Sequence, residues 1–392
     1  MSFIVLVSVI PSGMFLFSIS NMTKSTPLKS RHIALGAKMV EFGGFDMPVQ
    51  YTGIQEEHHA VRNAVGVFDV SHMGEFIVKG KQALDLVQAI SSNDASALAV
   101  GQVQYACMPN DHGGIVDDML VYRLPPEMIA DDEQAFMLVV NASNIGKDWD
   151  HIQQYAAKFD TRLVDISEQT GLIAVQGPLA ADLLQPLTDV PLKDITYYRF
   201  TKGVFAGIPN VLISATGYTG AGGFELYVDS DRLVELWDKV MALGHPVKPV
   251  PAGLGARDTL RLEMGYCLYG HEIDDTTSVM EAGLGWVTKL KKQNEFPSKA
   301  IFAAHKKDGV QRKLVGFTVN DRRVPRQGYP IATADGTEIG VVTSGTMSPT
   351  LQIPIGMGYV PLANSEVGSE IYVKAGSKLL EATVVEIPFV KK

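Results

Sequence analysis

The sequence predicts an α+β protein whose C-terminal region, 313–392, is a separate all-β domain, a small barrel or sandwich. Three observations point there. Before residue 290, strand-like and helix-like stretches mix without a regular strand–helix–strand repeat. After 313, short β-rich runs succeed one another with Gly, Pro or Asn between most of them. Between these regions the charge changes: Lys289 to Arg326 holds eleven Lys/Arg against three Asp/Glu, while the remainder holds 23 basic and 40 acidic residues.

The elements follow in order. Residues 75–79 read as a strand and 82–90 as an amphipathic helix. The run 135–141 is a buried strand, followed by a helix over about 147–157, and 172–176 is another strand. Gly177 and Pro178 open a helix, Pro suiting its first turn. Strands are expected at 210–215 and 224–228. Ser230 or Asp231 is the candidate cap of a helix running through Trp237 to Leu243. The C-terminal strands are 313–319, 339–343, 356–360, 370–374 and 381–385. Residues 291–312 read as a basic linker, with 293–297 and 305–309 as polar loops.

Composition excludes several classes. Of 392 residues, 46% are hydrophobic and 20% charged, which argues for a folded chain. The net charge of −9 makes nucleic acid a poor partner. Cys107 and Cys267 lie in no Cys-x-x-Cys or Cys/His spacing, so neither a metal site nor a disulfide framework is expected. Two isolated cysteines fit a reducing, cytoplasmic setting. Residues 1–21 stand apart: Phe3 to Ile19 is uncharged and apolar, with no basic residue before it. The run is too short for a membrane span and is broken at Pro11, Ser12 and Gly13; nor is it Arg-rich like a presequence. The expectation is an extension assigned in error, with Met22 as the start.

Four segments can carry chemistry. In DHGGIVDDMLVY (111–122) a Gly-Gly turn leads into an apolar strand interrupted by Asp117 and Asp118. Adjacent strand residues face opposite sides, so one carboxylate faces a cleft and the other is structural; this segment alone does not say which. TGYTGAGGFEL (216–226) is Gly-rich but lacks the Gly-Lys-Ser/Thr of a P-loop. Its glycines would let backbone approach a ligand, and Glu225 could accept paired N–H groups from a heterocycle. In GARDTLRLEMGY (255–266), Arg257 and Arg261 lie one helical turn apart and Asp258 can pair with Arg261; by itself this reads as a solvated ion-pair face. In CLYGHE (267–272), Cys267 reads as structural, and His271, Glu272, His58, His59 and His72 carry no signal beyond residue type.

Together these segments resemble the glycine cleavage T-protein family, from about Thr26 to Val390. TPL (26–28), AKMVEFGGFDMPVQY (37–51), EHHAVR (57–62) and GVFDVSHM (66–73) match its pattern. GGIVDD (113–118), GYTG (217–220), RDTLRLE (257–263), VTSGTMSPTL (342–351) and GYV (358–360) follow in the family's order. The resemblance implies a three-lobed, folate-binding aminomethyltransferase fold: two intertwined α+β lobes over 22–290, and a C-terminal β-barrel. It implies transfer of an aminomethylene carbon from the lipoyl arm of H-protein to tetrahydrofolate, releasing ammonia and giving 5,10-methylene-tetrahydrofolate. The second Asp of the pair, Asp118, is then the catalytic carboxylate, orienting the attacking nitrogen and stabilising positive charge on the carbon. Glu225 and Arg257 match pterin-side contacts; Asn141 and Trp286 match further lining positions, and Tyr105, Met73 and Tyr218 are lining candidates by position. No metal is implied. The partners implied are lipoylated H-protein and, functionally, glycine decarboxylase and dihydrolipoyl dehydrogenase, with the enzyme a monomer away from membranes. One departure is Ala221-Gly222, where many members carry an acidic residue.

The same fold serves folate-dependent demethylases of small methylated substrates and non-catalytic iron–sulfur maturation factors. CLYGHE (267–272) has the spacing of the latter's Gly-Cys-Tyr-x-Gly-Gln-Glu signature, but the intact GGIVDD motif opposes that reading. In the basic stretch, Lys289, Lys291, Lys292, Arg322, Arg323 and Arg326 are candidates for steering a polyglutamate folate tail or an acidic H-protein.

Overall fold

Strands that are apolar on both faces need cover on both sides, and this requirement organises the region before the barrel. The computed structural model describes residues 23–125 and 134–391; the segment 1–21 lies outside them. Strand Thr170–Gln176 sends Ile173 and Val175 into one core, and Leu172 and Ala174 into another. It is the fourth strand of a six-stranded sheet ordered Phe200–Phe205, Ile208–Ser214, Gly223–Asp229, Thr170–Gln176, Gly66–Asp69, Val250–Pro251. Strand Gln134–Val140 divides the same way, with Phe136, Leu138 and Val140 on one face and Ala135, Met137 and Val139 on the other. It belongs to a five-stranded sheet ordered Val103–Pro109, Ile115–Leu124, Gln134–Val140, Gly74–Gly80, Arg162–Asp165.

The two sheets share one core between them, where Phe68, Leu172 and Tyr227 meet Tyr122, Met137 and Val139. Helices cover the outer faces. Leu233–Met241 packs Leu233, Leu236, Trp237 and Val240 on the six-stranded sheet. Ala83–Ile90 and Ile145–Ala156 cover the five-stranded one. Tyr122 and Tyr227 join the sheets through a 2.9 Å hydroxyl–hydroxyl bond.

The third lobe is a closed six-stranded barrel ordered Arg312–Val319, Pro354–Pro361, Glu338–Met347, Pro330–Ala332, Glu370–Ala375, Lys378–Val385. The fold is thus α+β with three lobes and a C-terminal β-barrel. Pro330–Ala332 is the barrel strand the sequence reading lacked; three residues are too few to show alternation.

Three local expectations are corrected. Neither Ser230 nor Asp231 caps a helix: Ser230–Arg232 is a 3₁₀ turn, and the Ser230 carbonyl accepts the Leu233 N–H, so backbone takes the role of a side-chain cap. The polar loop expected at 305–309 is mostly helix, Lys299–Asp308, held down by the fully buried Phe302. The solvated face expected for helix Leu254–Glu263 is instead the main polar seam to the barrel.

Arg261 is 1% exposed and meets Glu272 at 2.8 Å. It also donates to Ser344 Oγ at 2.8 Å, and Thr343 donates to the other Glu272 oxygen at 2.7 Å. Asp258 does pair with Arg261, at 2.8 Å. Beside this pair, Glu263 accepts from Arg62, Ser348 and Thr350; despite burial, bonds from His58 and Ser348 hold its pKa down to about 2. A buried pair is dangerous to break because the survivor keeps an unpaired charge. Arg261→Met should therefore destabilise the protein by about 3–5 kcal/mol in denaturant unfolding, with partial recovery when Glu272→Gln is added. An unchanged unfolding midpoint in Arg261→Met would remove this account of the seam.

Candidate functional site

Strand parity decides where the two aspartates of Ile115–Leu124 point. Leu120, Tyr122 and Leu124 face the layer between the sheets, whereas Met119 and Val121 face the helices. Asp118 therefore projects into the inter-sheet layer and Asp117 toward the helices. Asp117 is 0% exposed and accepts from Asn141 N at 3.0 Å, Asn141 Nδ2 at 2.8 Å and Asn144 Nδ2 at 2.7 Å. Asp118 keeps accessible surface and accepts from Tyr105 Oη at 2.9 Å and Asn141 Nδ2 at 2.8 Å. One amide nitrogen thus serves both carboxylates. Burial and the neighbouring Asp117 charge push Asp118 up to about 7, against the lowering pull of the Tyr105 and Asn141 bonds. Such a group can take and return a proton near neutral pH.

Glu225 reaches the same layer from strand Gly223–Asp229, whose alternate residues Phe224, Leu226 and Val228 face the outer core. It is 7% exposed and accepts from Thr216 Oγ1; burial raises its pKa, opposed by the Thr216 bond and the Arg257 charge. Arg257 comes from helix Leu254–Glu263 and lies over the Tyr218 ring, 4.7 Å from its centroid. Tyr218 Oη donates to the Cys267 carbonyl, and its ring feels the charges of Asp118 and Arg257. Tyr105 stacks on Trp286, centroids 6.2 Å apart and planes 26° apart. Trp286 is 64% exposed, so this aromatic pair runs from Asp118 toward solvent. Met73 is half-buried against the inter-sheet core. Asp118, Tyr105, Tyr218 and Arg257 are enclosed by protein yet keep accessible surface, as side chains lining a cleft do.

Two expectations change. The Gly-rich loop 216–223 spends Gly217, Gly220 and Gly223 on protein contacts, Gly222 alone among its glycines facing open space. A Cβ at Gly217 would strike the Gln176 side chain at 2.0 Å, one at Gly223 the Val175 carbonyl at 2.3 Å, and one at Gly220 the Met264 side chain at 2.5 Å. Lys292 is no steering charge: it is buried, and Nζ donates to the carbonyls of Gln88 at 2.8 Å, Asn93 at 2.9 Å and also Ser91. Burial pulls that ammonium down to about 7, with Asp94 opposing. Cys107 and Cys267 are buried free thiols whose pKa values burial raises, so neither is an activated nucleophile. Among the described residues, no group of three His, Cys, Asp or Glu could hold a metal ion, and no helix is long and apolar enough to cross a membrane.

The sequence reading missed Asn144, Asp148 and Glu75. Asp148 and Glu75 are buried carboxyls whose oxygens find no donor. A carboxylate within an otherwise apolar strand pattern was the available signal for Glu75, in GEFIVKG (74–80). Asn144 and Asp148 gave none, since a polar residue near a helix start is ordinary.

This architecture, two sheet lobes and a barrel around a polar cleft, defines a class with known relatives. Residues 28–292 match the GCVT N-terminal domain, and 312–391 match the glycine cleavage T-protein C-terminal barrel domain. Similar proteins include the aminomethyltransferase of Bacteroides fragilis, 53% identical over 94% of this chain and 100% of that protein. That of Porphyromonas gingivalis is 54% identical over 94% and 100%. The crystal structure of glycine cleavage system aminomethyltransferase T from Bartonella henselae superimposes with a TM-score of 0.86 at 32% identity, covering 94% of this chain and 98% of that one. The chain belongs to the glycine cleavage T-protein family and has aminomethyltransferase activity. Neither the demethylase nor the maturation-factor alternative is favoured by these relatives.

The raised pKa of Asp118 has a signed consequence for stability. The fold favours the protonated form, so this group's contribution is complete below about 3.8 and is lost as pH rises through about 7. Asp118→Asn should be more stable than wild type near pH 8, by on the order of 2 kcal/mol after discounting for solvent in the cleft, and close to it near pH 4. A difference that does not vary with pH in urea unfolding would contradict this.

Proposed function

We propose that the protein transfers the aminomethylene carbon borne on the lipoyl arm of H-protein to tetrahydrofolate, releasing ammonia and leaving 5,10-methylene-tetrahydrofolate and the reduced arm, with Asp118 as the catalytic carboxylate. The observation that carries this reading is an accessible carboxylate, raised to about 7, inside a cleft that also offers a carboxylate, a guanidinium and aromatic faces.

These groups fit a flat, polar heterocycle with a long tail. Glu225 presents two acceptor oxygens for neighbouring N–H groups, and Arg257 presents planar donors. Tyr218 and Met73 give apolar walls, and Tyr105 with Trp286 gives an aromatic path outward. Tetrahydrofolate, when bound, supplies the nitrogens that take up the one-carbon unit. Asp118, held by Tyr105 and Asn141, stays close enough to neutral pKa to exchange protons at that centre, and its charged form stabilises developing positive charge. An amine departs readily only once protonated, and the protonated share of Asp118 near pH 7 can meet that need. The direct partner in this reading is lipoylated H-protein, in functional association with glycine decarboxylase and dihydrolipoyl dehydrogenase, and the enzyme is a cytoplasmic monomer. Exposed Lys289, whose Nζ donates to the Trp286 carbonyl at 2.7 Å, and exposed Lys291 are candidates for steering an acidic partner.

The test is single-turnover transfer from aminomethyl-loaded H-protein. Asp118→Asn should lower folate-dependent ammonia release by about 10²–10⁴-fold with folate affinity within a few-fold. Asp117→Asn should lose less, through disturbance of Asn141. Full turnover in Asp118→Asn, or no release from wild type despite folate binding, would overturn the reading.

A further inference from the structure

The polar cluster does not end at Asp118. Behind it, on the helix side of strand Ile115–Leu124, lies a second carboxyl that the proposed chemistry leaves unused. Asp148 sits in the first turn of helix Ile145–Ala156, is fully buried, and has no donor for either oxygen. Asn144, at the start of that helix, donates to Asp117 Oδ1 at 2.7 Å. Residues four apart share a helix face, so Asp148 is turned toward the same carboxylate. Two acceptors cannot bond each other; the contact is attractive only if Asp148 carries a proton and donates it. Isolated burial of a second anion here would be costly, and neutralisation is the usual escape.

We infer that Asp148 is a positioning residue for Asp118: as a neutral acid it donates to Asp117, completing that carboxylate's shell and leaving one Asn141 hydrogen free for Asp118. The inference rests on Asp118 being the catalytic group. Burial and the charge of Asp117 push Asp148 up to about 11, in keeping with the geometry. The charged groups facing it are Asp117 and Asp118 from the strand and Lys147 from its own helix. Lys147 works against protonation, but its ammonium is engaged by Tyr269 Oη at 2.6 Å and Asp275 at 3.4 Å. Asp118 in turn is faced by Asp117, Tyr105, Asn141 and Tyr218, with the neutral thiols of Cys107 and Cys267 nearby.

The order of donors explains why the proton matters. Asp117 takes bonds from the Asn141 backbone, the Asn141 side chain and Asn144. Without the fourth donor, Asp117 draws the Asn141 amide toward itself. Asp118 then loses one of the two side-chain bonds that hold its pKa down and fix its rotamer.

Two substitutions separate a donor from a space-filler. Asp148→Asn keeps an N–H to give Asp117; Asp148→Leu keeps the volume and gives nothing. In steady-state transfer to tetrahydrofolate, Asp148→Asn should stay within about threefold of wild type. Asp148→Leu should shift the acidic limb of the kcat profile upward by about one pH unit, with the KM for folate little changed. In infrared spectra at about pH 9, where Asp118 is ionised, one component of the protonated-carboxyl stretch should be lost in Asp148→Asn and kept in Asp118→Asn. This readout needs no turnover and decides the matter even if the Leu variant fails to fold. An acid band unchanged in Asp148→Asn, equal impairment of both variants, or a wild-type profile in Asp148→Leu would overturn the inference. If instead Asp118→Asn retains full activity, the catalytic reading of Asp118 fails, while the infrared result still reports whether Asp148 holds its proton.

Discussion

Consecutive residues of a strand face opposite sides, and the site is arranged around that constraint. Asp117 and Asp118 are bonded neighbours that cannot share a pocket. One enters the helix layer, where it must be saturated with donors, and the other enters the inter-sheet cleft, where it can meet a ligand. Asn141, at the end of the adjoining strand Gln134–Val140, reaches both with a single amide nitrogen at 2.8 Å. This places the accessible carboxyl under the control of its buried twin: the charge of Asp117 raises Asp118, and the shared amide limits how far. A saturated carboxylate and an accessible one are thus parts of one electrostatic unit.

The surrounding fold keeps that unit rigid and open on one side. The sheets are clamped by the apolar layer around Phe68, Tyr122, Leu172 and Tyr227, and each is backed by helices. The barrel closes the third side through Leu262, Cys267, Leu314, Met357 and Tyr359, with the Arg261–Glu272 pair within the seam. That pair fixes helix Leu254–Glu263, which carries Arg257 over Tyr218. A residue of the candidate cleft is therefore positioned by an ion pair that belongs to the interlobe packing. Arg257 and Arg261 lie one turn apart and divide these tasks, one accessible and one sealed.

Where alternation or helical spacing was strong, the sequence was readable. Residues 135–140 and 172–175 form strands because each of them has a core to enter, odd and even positions feeding different ones. The barrel's longer strands were visible between their turn residues, whereas Pro330–Ala332 was too short to show a period. Local chemistry misled where a distant surface supplied the partner. Arg261 read as solvated because Ser344 comes from the docked barrel, and Glu272, held by Thr343 of the barrel, reaches it through a turn that helix spacing does not show. Lys292 read as a free charge because the carbonyls of Gln88, Ser91 and Asn93 lie about two hundred residues away in sequence.

By itself the sequence determined the strongly periodic strands and helices, the α+β class with a β-rich end, and the opposition of Asp117 to Asp118, since all of these follow from side-chain period and turn chemistry within short windows. The motif order added the family and a named set of cleft candidates. Only the tertiary structure decided which aspartate is saturated and which is accessible, that Asn144 and Asp148 stand behind the pair, and that the Gly-rich loop packs on protein. Those outcomes depend on contacts between residues far apart in the chain, and on burial, which sets both the cost of a charge and the donors available to offset it.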